Sequence, residues 1–412
     1  MTPDVRAYTK HRSRPVAEAM IANVTRHGGS VPYALDHRPV TRRGTVVCVG
    51  AGPSLDRTGP ELARLQKAGA RIFTVNTALP AVAKWCVPDV VMVREIVDVS
   101  SHLAYPAGLR VLDVGASPRV WDAALAQGPC AWFFPGSPQY YAAAHALDLR
   151  PLFGGPAALT GAVALAEAWG ALEVVLVGCD LALGDDGSSY ASGSAFDGQR
   201  ATIGDDGVAM NHGPGYVTKL RQHEAAGVEA YPFREATAEV ERYGGGTLRT
   251  TTQWLSQLEW LANFAKRHPE IGCIDATGAG AGKAGWLELP PEAHATGSLT
   301  VRLPAPDASI PDSFRAIVLE ECDRAMATAV NVLHPDGNPH HVPGFATGTA
   351  VVDALAAAWL LEIGEGEGDI AAKVRAAYGE AFSDAVRVAL DGVSAFAESN
   401  GSRDVPRTNQ AG

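Results

Sequence analysis

Short apolar runs alternate with helix-forming segments along most of this 412-residue chain, and that alternation constrains the fold more than any other feature. The runs predicted as strands are VVCVG, RIFTVN, DVVMV, LRVLDVG, AWFFPG, LEVVLVG and IGCIDATG. Strands that are apolar throughout are typical of a mostly parallel sheet whose two faces are both covered by helices. The predicted fold class is therefore α/β, with a Rossmann-like, mostly parallel sheet, helices on both faces and a small C-terminal helical region.

One predicted strand leads directly into a glycine turn, in the stretch VVCVGAGPSLD. The two glycines allow backbone amides to approach a ligand closely, and a helix whose first N–H groups are unpaired follows them. This order suits a nucleotide phosphate or ribose, although an ordinary strand-to-helix turn has the same elements. Leu55 stands where the dinucleotide fingerprint has its third glycine, so a dinucleotide is not expected. The residues predicted to contact the ligand here are Gly50, Gly52, Pro53 and Ser54.

Two other predicted strands end in polar side chains, Asn76 and Asp180. Because ligands bind at the carboxyl ends of parallel strands, the tips after Val49, Val75 and Val177 are predicted to line one crevice. The Asn76 amide carries donors and acceptors suited to a cytosine or ribose edge, with capping of the next helix as the alternative. Asp180 is expected to order the site through hydrogen bonds, with metal coordination as the alternative.

Composition limits the class of protein and its partners. The chain has 34 basic and 45 acidic residues, a net charge of −11, which disfavours a nucleic-acid binder that needs a dense basic face. No run reaches the roughly 18 to 20 apolar residues of a membrane helix. The N-terminal basic residues lack the apolar core of a signal peptide. The six cysteines have no C-x-x-C spacing, so disulfides are not expected. We therefore expect a cytoplasmic protein without a nucleic-acid or membrane partner.

Changes in composition along the chain suggest its domain boundaries. A Gly-, Asp- and Ser-rich segment between Gly184 and Pro214 interrupts the alternation, and a loop this long is usually functional or disordered. The predicted divisions are a helical lead-in at 1–43, a Rossmann-like nucleotide-binding catalytic domain at 44–290, a proline-rich linker at 291–310, a helical region at 311–400 and a flexible tail at 401–412.

Several motifs in order resemble a known family. These are GAGPSLD, TVNTAL, PDVVMVRE, the stretch GGPAALTGAVALAEAWGALEVVLVGCDLAL, QWLSQLEWLANF and IDATGAGAG. Together they look like the motility accessory factor glycosyltransferases over roughly residues 20–290. The same core is shared by archaeal 6-hydroxymethylpterin diphosphokinases and is more distantly similar to bacterial sialyltransferases that use a CMP-sugar.

The resemblance implies roles for particular residues. In the sialyltransferase-like pattern an asparagine usually stands between the two glycines, where this chain has Ala51, and a second asparagine that binds the nucleotide corresponds to Asn76. Thr160 and Gly161 match a hydroxyl-glycine pair at a helix start, where they would hold phosphate unless the threonine is a plain cap. Residues implied to lie near the sugar are Ser188, Ser189 and Tyr190, in the segment GSSY.

The family pattern also places a histidine near His212 as the general base for the acceptor hydroxyl. An imidazole can take a proton from an alcohol at neutral pH as the alcohol attacks. The alternative is a solvated loop histidine. His223 lies on a helix that looks amphipathic and is expected to be structural.

The reaction implied is transfer of a nonulosonic, sialic-acid-like sugar from a CMP donor to a hydroxyl of a protein or glycan acceptor, with no obligatory cofactor. A homo-oligomer is compatible with the sequence. One alternative is Mg²⁺-dependent transfer of pyrophosphate from ATP to a hydroxymethylpterin, with Asp180 and Asp185 as metal ligands. Another is a nucleotide-binding or structural protein without catalysis, which the Ala51 departure keeps open.

Two further groups of side chains could bind metal. Asp185–Asp186 and Asp205–Asp206 each precede a glycine, and we expect turns rather than Mg²⁺ ligands there. His334, Asp336, His340 and His341 lie among Pro, Gly and Asn without helical spacing, so a surface loop is expected.

Overall fold

The computed structural model describes residues 5–36, 43–136, 140, 143–144, 147–226 and 234–290, with side chains from residue 16 onward. The chain divides into two units, Met1–Met326 and Ala327–Gly412, and all the described residues lie in the first. The predictions for the linker, the C-terminal helical region, the tail and the His334–His341 cluster lie outside the described residues.

The described residues form twelve strands and eight α-helices. The strands are β1 Thr45–Val49, β2 Arg71–Val75, β3 Val90–Val93, β4 Leu109–Asp113, β5 Cys130–Phe133, β6 Glu173–Val177, β7 Arg200–Ile203, β8 Val208–His212, β9 Arg234–Glu241, β10 Thr247–Thr251, β11 Gly272–Asp275 and β12 Leu287–Glu288. The helices are α1 Val5–His27, α2 Leu55–Thr58, α3 Glu61–Lys67, α4 Leu79–Val82, α5 Pro118–Gln127, α6 Ala158–Ala168, α7 Pro214–Ala225 and α8 Thr252–Arg267. A 3₁₀ turn lies at Ser100–Leu103.

Eight of these strands form one parallel sheet, in the order β12-β11-β6-β1-β2-β3-β4-β5. Its central strands are apolar on both faces because helices flank the sheet, and every residue of β1 is buried. The predicted α/β fold with a mostly parallel sheet is therefore confirmed. The chain runs outward from β1 to β5 and then returns to place β6 on the other side of β1. The strand order thus reverses at β1, next to β6 and β2.

A second sheet is antiparallel, in the order β10-β9-β8-β7, and it was not predicted. Strands β7 and β8 lie inside the segment 184–214 that was predicted as a long loop. That prediction was wrong for these residues because β7 is mostly exposed and lacks the apolar run that marks the strands of the main sheet. Edge strands of an antiparallel sheet can be largely polar.

Helices at the two ends of the described region close the core. Helix α1 buries Val16, Met20 and Val24, and the side-chain amide of its Asn23 donates to the carbonyl oxygens of Val114 and Ala116 at 2.9 and 2.8 Å. Helix α8 buries Trp260 and Phe264 in the same core. Among the described residues, no helix is both long enough and apolar enough to span a lipid bilayer. The five cysteines in the described part of the chain are free thiols.

Candidate functional site

The loop after β1 packs directly on the loop after β6. The amide of Gly50 donates to the carbonyl oxygen of Val177 at 2.9 Å, and that of Gly52 donates to the carbonyl of Gly178 at 2.7 Å. A Cβ added at Gly52 would lie 2.0 Å from Oδ2 of Asp180, and one at Gly50 would lie 2.6 Å from the Gly178 oxygen. The two glycines are therefore required by the close approach of two loops of the protein itself.

Asp180 ties these two loops together. Its carboxylate oxygen Oδ2 accepts a 2.7 Å hydrogen bond from the Ser54 hydroxyl, and the Ser54 amide lies 3.3 Å from both carboxylate oxygens. Burial raises the pKa of the Asp180 carboxyl, and the hydrogen bond from Ser54 and the charge of Lys283 act in the opposite direction. This arrangement fits an ordering role for Asp180. Pro53 lies half-buried in the same turn.

A buried ion pair lies beside Asp180. Nζ of Lys283 is 3.0 Å from Oδ2 of Asp275, and neither side chain is accessible to solvent. Asp275 is the last residue of β11, the neighbour of β6 in the sheet. Two carboxyl groups, those of Asp180 and Asp275, thus lie buried near the carboxyl ends of the adjacent strands β6 and β11, with the Lys283 side chain beside them.

Asn76 follows β2 and packs against a histidine that was not predicted. Its Nδ2 lies 3.4 Å from Nδ1 of His102, whose Nε2 is 3.1 Å from Nε2 of Gln222 on α7. The N-cap of α4 is Ala78, so Asn76 does not cap the next helix. The rings of His102 and Phe196 pack edge to face, with their centroids 5.4 Å apart. Burial lowers the pKa of His102 to about 4, which keeps the ring neutral at pH 7.

Residues 188–197, which we call the covering segment, cross the ends of β1 and β2. The amide of Ala191 donates to the carbonyl of Ala51 at 2.8 Å, and the amide of Ala195 donates to that of Thr77 at 2.9 Å. At the surface, Ser192 donates from its amide and hydroxyl to the Asp56 carboxylate at 2.9–3.2 Å. The segment therefore lies over the crevice predicted from the strand tips.

The covering segment contains the three residues implied to lie near the sugar. The amide of Ser188 donates to the Asp186 carboxylate at 3.0 Å, in the turn at residues 185–186. The amide of Ser189 donates to the Gln199 carbonyl at 3.1 Å, while its hydroxyl is buried and has no hydrogen-bond partner among the described residues. Tyr190 accepts a 3.2 Å hydrogen bond at its hydroxyl from Nζ of Lys219 on α7.

Lys219 is a second residue that the sequence did not single out. Only 7% of it is exposed, and its ammonium lies 5.1 Å from the centre of the Phe196 ring. On α7 it is followed three and four residues later by Gln222 and His223, which share one helix face. The polar side chains that recur on one face of this helix were the signal available for Lys219 and Gln222, whereas no sequence signal pointed to His102.

Thr160 and Gly161 lie in the first turn of α6. The Thr160 hydroxyl accepts from the amide of Ala157 at 3.1 Å and donates to its carbonyl at 2.9 Å, so it stabilises the helix start. The guanidinium of Arg94 donates to the carbonyls of Gly155 and Ala157 at 2.7 and 3.1 Å and pairs with Asp113. Thr160 thus has the capping type of contact that was the alternative to phosphate binding.

His212 lies apart from these contacts. It ends β8, is exposed, and its Nε2 is 3.1 Å from the hydroxyl of Thr202 on β7. Side chains alternate along a strand, and the preceding residue, Asn211, is buried and bonded to Glu235 on β9. His212 therefore lies on the solvent face of the small sheet.

The paired aspartates behave as turn residues. Asp186 and Asp206 accept amide hydrogen bonds from Ser188 and Val208, each two residues later. Three of these aspartates form ion pairs with arginines. The distances from carboxylate oxygen to guanidinium nitrogen are 2.5 Å for Asp185 and Arg242, 2.7 Å for Asp186 and Arg200, and 2.6 Å for Asp206 and Arg234. Across the described ranges, no group of three or more His, Cys, Asp or Glu side chains is arranged to hold a metal ion. Asp180 and Asp185, the metal ligands named only for the diphosphokinase alternative, are bonded to Ser54 and Arg242.

Comparison with known proteins finds a partial match. Residues 30–186, well under half of the chain, match the family described as 6-hydroxymethylpterin diphosphokinase MptE-like. This bears out the resemblance to the diphosphokinases that the motifs predicted, and the similarity to sialyltransferases stays a prediction. No curated protein sequence matches the chain.

Among solved structures, the chain is similar to a MAf glycosyltransferase from Magnetospirillum magneticum AMB-1, at 14% sequence identity and a TM-score of 0.49. The match covers 96% of this chain and 61% of that protein, so this chain spans less than two thirds of its length.

Proposed function

From the similarity of residues 30–186 to the diphosphokinase-like family, we propose that this protein is a transferase that binds a mononucleotide where the strand order reverses. The observation that carries the proposal is a set of polar atoms at the end of β2 and on the covering segment that crosses β1 and β2. Oδ1 of Asn76 and the hydroxyls of Ser189 and Ser194 are buried and have no hydrogen-bond partner among the described residues. A buried polar group without a partner costs roughly 1–3 kcal/mol, and a bound ligand would supply the missing partners.

Within this class, we propose transfer of a nonulosonic-acid-like sugar from CMP to a hydroxyl. Asn76 would contact the cytosine or ribose, and the first turn of α6 would contact the phosphate through the backbone N–H of Thr160. The N–H of Gly161 donates to the Ala157 carbonyl at 3.0 Å, so Gly161 would contribute a surface without a side chain. Ser188, Ser189 and Tyr190 would meet the sugar beneath the covering segment. Gly50, Gly52, Pro53, Ser54 and Asp180 would form the rigid floor of the crevice.

CMP is a good leaving group, so the protein would contribute mainly positioning and a base, without an obligatory metal. Two arrangements of side chains support this proposal: Asp180 is engaged with Ser54, and Asp185 with Arg242. His212 is the proposed base, because its exposed ring is open to an acceptor hydroxyl that arrives from solvent. A protein or glycan acceptor is expected for that reason.

A second candidate function is Mg²⁺-dependent pyrophosphoryl transfer from ATP to a hydroxymethylpterin, which the family match favours. It would require the Asp180 and Asp185 carboxylates to leave their present partners and share one cation. The carboxylates in the described residues do not fit such a site as they are arranged.

The two candidates are separated by thermal unfolding of the full chain with CMP or ATP, each with and without Mg²⁺. A ligand that binds the native state raises Tm, by several degrees at a concentration about 100 times its Kd. A rise with CMP that does not need Mg²⁺ supports the glycosyl transferase. A rise with ATP and only in the presence of Mg²⁺ supports the diphosphokinase and overturns our first choice. No response to either nucleotide overturns both and favours the non-catalytic alternative.

Asn76→Ala should abolish the response to CMP, whereas Val87→Ala, at a residue that is 53% exposed, should leave it unchanged. An unchanged response in Asn76→Ala would remove Asn76 from the site.

The base is tested with His212→Ala, which should lower the rate of CMP release from CMP-sialic acid by roughly 10²–10⁴-fold. Its response to CMP in thermal unfolding should stay the same. His268→Ala is the matched control. This histidine lies just before the amino end of β11, whereas the proposed site lies at the carboxyl ends of the strands of the main sheet. An unchanged rate in His212→Ala would contradict the assignment.

A further inference from the structure

The ring of His102 lies between two primary amides at the centre of the proposed site. Nδ1 faces the side-chain nitrogen of Asn76 at 3.4 Å, and Nε2 faces that of Gln222 at 3.1 Å. Asn76 and His102 are 1% and 4% exposed. The amide oxygens of Asn76 and Gln222 are both buried and have no hydrogen-bond partner among the described residues.

This geometry contains one N–H group too many. A neutral imidazole has one donor nitrogen and one acceptor nitrogen, so it can accept a hydrogen from only one of the two amides. The other amide must turn its oxygen toward the ring and accept the ring N–H. An imidazolium would accept from neither amide. The ring is neutral at pH 7, because burial lowers the pKa of His102 to about 4 and the charge of Asp98, which acts in the opposite direction, is the smaller effect.

We propose that His102 is a positioning residue that couples the orientations of the Asn76 and Gln222 amides, so that α7 determines which edge of Asn76 faces the crevice. When Gln222 donates to Nε2, the ring carries its proton on Nδ1 and Asn76 turns its oxygen to the ring. The NH₂ group of Asn76 then faces the crevice. When Gln222 accepts, Asn76 donates to Nδ1 and its oxygen faces the crevice.

The coupling makes Asn76 selective for one kind of ligand atom. With its NH₂ exposed to the crevice it pairs with an acceptor, such as O2 or N3 of cytosine, and with its oxygen exposed it pairs with a donor, such as the cytosine amino group. This step rests on the proposed nucleotide site. The coupling itself is a property of the free protein and can be tested without a ligand.

The test uses two variants of Gln222 that leave Asn76 and His102 unchanged. Gln222→Glu places an acceptor at Nε2, and Gln222→Lys places a donor there. The protonated nitrogen of His102 is identified by ¹⁵N spectra of the histidine-labelled full chain at pH 8, with resonances assigned by their absence from His102→Gln.

We expect the proton on Nε2 in Gln222→Glu and on Nδ1 in Gln222→Lys. Asn76→Asp, whose carboxylate can only accept, should also place the proton on Nδ1. The same tautomer in all three variants would overturn the proposal, because a ring held by packing alone does not respond to its amide partners. A wild-type ring protonated on both nitrogens at pH 8 would overturn it as well.

A second measurement compares the affinities of Gln222→Glu and Gln222→Lys for CMP. We expect about a tenfold difference in Kd, the value of one hydrogen bond gained or lost at Asn76. Equal affinities would overturn the role of the coupling in ligand selection. If wild-type protein does not bind CMP, the proposed function fails, while the tautomers of the free variants still decide the coupling.

Discussion

At the scale of single residues, two of the three candidate glycines of the site, Gly52 and Gly161, have opposite requirements. Gly52 has no space for a side chain, since its Cβ would lie 2.0 Å from the Asp180 carboxylate. Gly161 is in the first turn of α6, where the nearest atom to an added Cβ is Cδ of Arg94 at 3.4 Å, an ordinary contact. A substitution at either position must therefore be tested for its effect on stability separately from its effect on ligand binding.

We expect Gly52→Ala to lower the free energy of unfolding by about 1–3 kcal/mol, because the loop after β6 must move away. Gly161→Ala should be neutral or stabilising by about 0.5–1 kcal/mol, because alanine is favoured over glycine within a helix. Thermal unfolding of the two variants gives the comparison. Equal stability losses would show that the loop packing does not make the glycine necessary.

His102 should make stability depend on pH. Its pKa falls from 6.5 in the unfolded chain to about 4 in the fold, so the unfolded chain binds more protons between these values. The stability that His102 provides is therefore fully present above pH 6.5 and is lost as the pH falls toward 4. At pH 5 the loss relative to pH 7 is about 2 kcal/mol.

The measurement is the fall in Tm between pH 7 and pH 5, for wild type and for His102→Gln. The variant has no group that titrates at this position, so its Tm should fall less. An identical fall in both proteins would mean that His102 does not titrate as the buried ring requires.

The sequence identified Asn76 but not its partners, and the reason is physical. Asn76 directly follows an apolar strand, so its position at the sheet edge follows from the alternation of strands and helices. His102 belongs to a 3₁₀ turn and Gln222 to a helix 120 residues later in the chain. Their contact depends on where α7 lies relative to the 3₁₀ turn, which no local pattern encodes.

At the scale of elements, the covering segment distinguishes this site from an open strand-end crevice. Its backbone is bonded to the ends of both β1 and β2, while its outer surface is held by Asp56. The prediction of residues 184–214 as a long functional or disordered loop missed β7 and β8, which follow the covering segment. The order of the covering segment comes from hydrogen bonds to distant residues, and periodicity does not report such bonds.

We expect Asp56→Ala to loosen the covering segment without unfolding the sheet. Ser192 would lose its bonds to the carboxylate, which are exposed and together contribute about 1–2 kcal/mol to local closure. Amide hydrogen exchange of residues 188–197 should become about tenfold faster, while that of β1 and β2 stays the same. Asp206→Ala, which removes an exposed carboxylate from the turn before β8, is the matched control. Unchanged exchange in Asp56→Ala would show that the backbone bonds alone hold the segment.

At the scale of the whole molecule, the order of the strands explains why the proposed site lies at β1. The sheet is built outward from β1 to β5, and β6, β11 and β12 are added on the other side. The sequence predicted seven of the eight strands of this sheet, and the tips after Val49, Val75 and Val177 do lie on adjacent strands. Which strands become neighbours depends on long-range packing. The ion pair of Asp275 with Lys283 therefore could not be predicted from the sequence around either residue.

That ion pair should stabilise the edge of the sheet formed by β11 and β12. Lys283→Met would leave the Asp275 carboxylate buried without its cation, and we expect the free energy of unfolding to fall by about 3–5 kcal/mol. The double variant Lys283→Met/Asp275→Leu removes both charges of the pair and should recover part of that loss, since a buried pair replaced by apolar residues is often neutral. Recovery is only partial because buried Asp180 still loses the nearby charge of Lys283. Thermal and urea unfolding of the wild type, the single variant and the double variant test this. A loss below about 1 kcal/mol in Lys283→Met, or no recovery in the double variant, would mean that the charges do not stabilise each other.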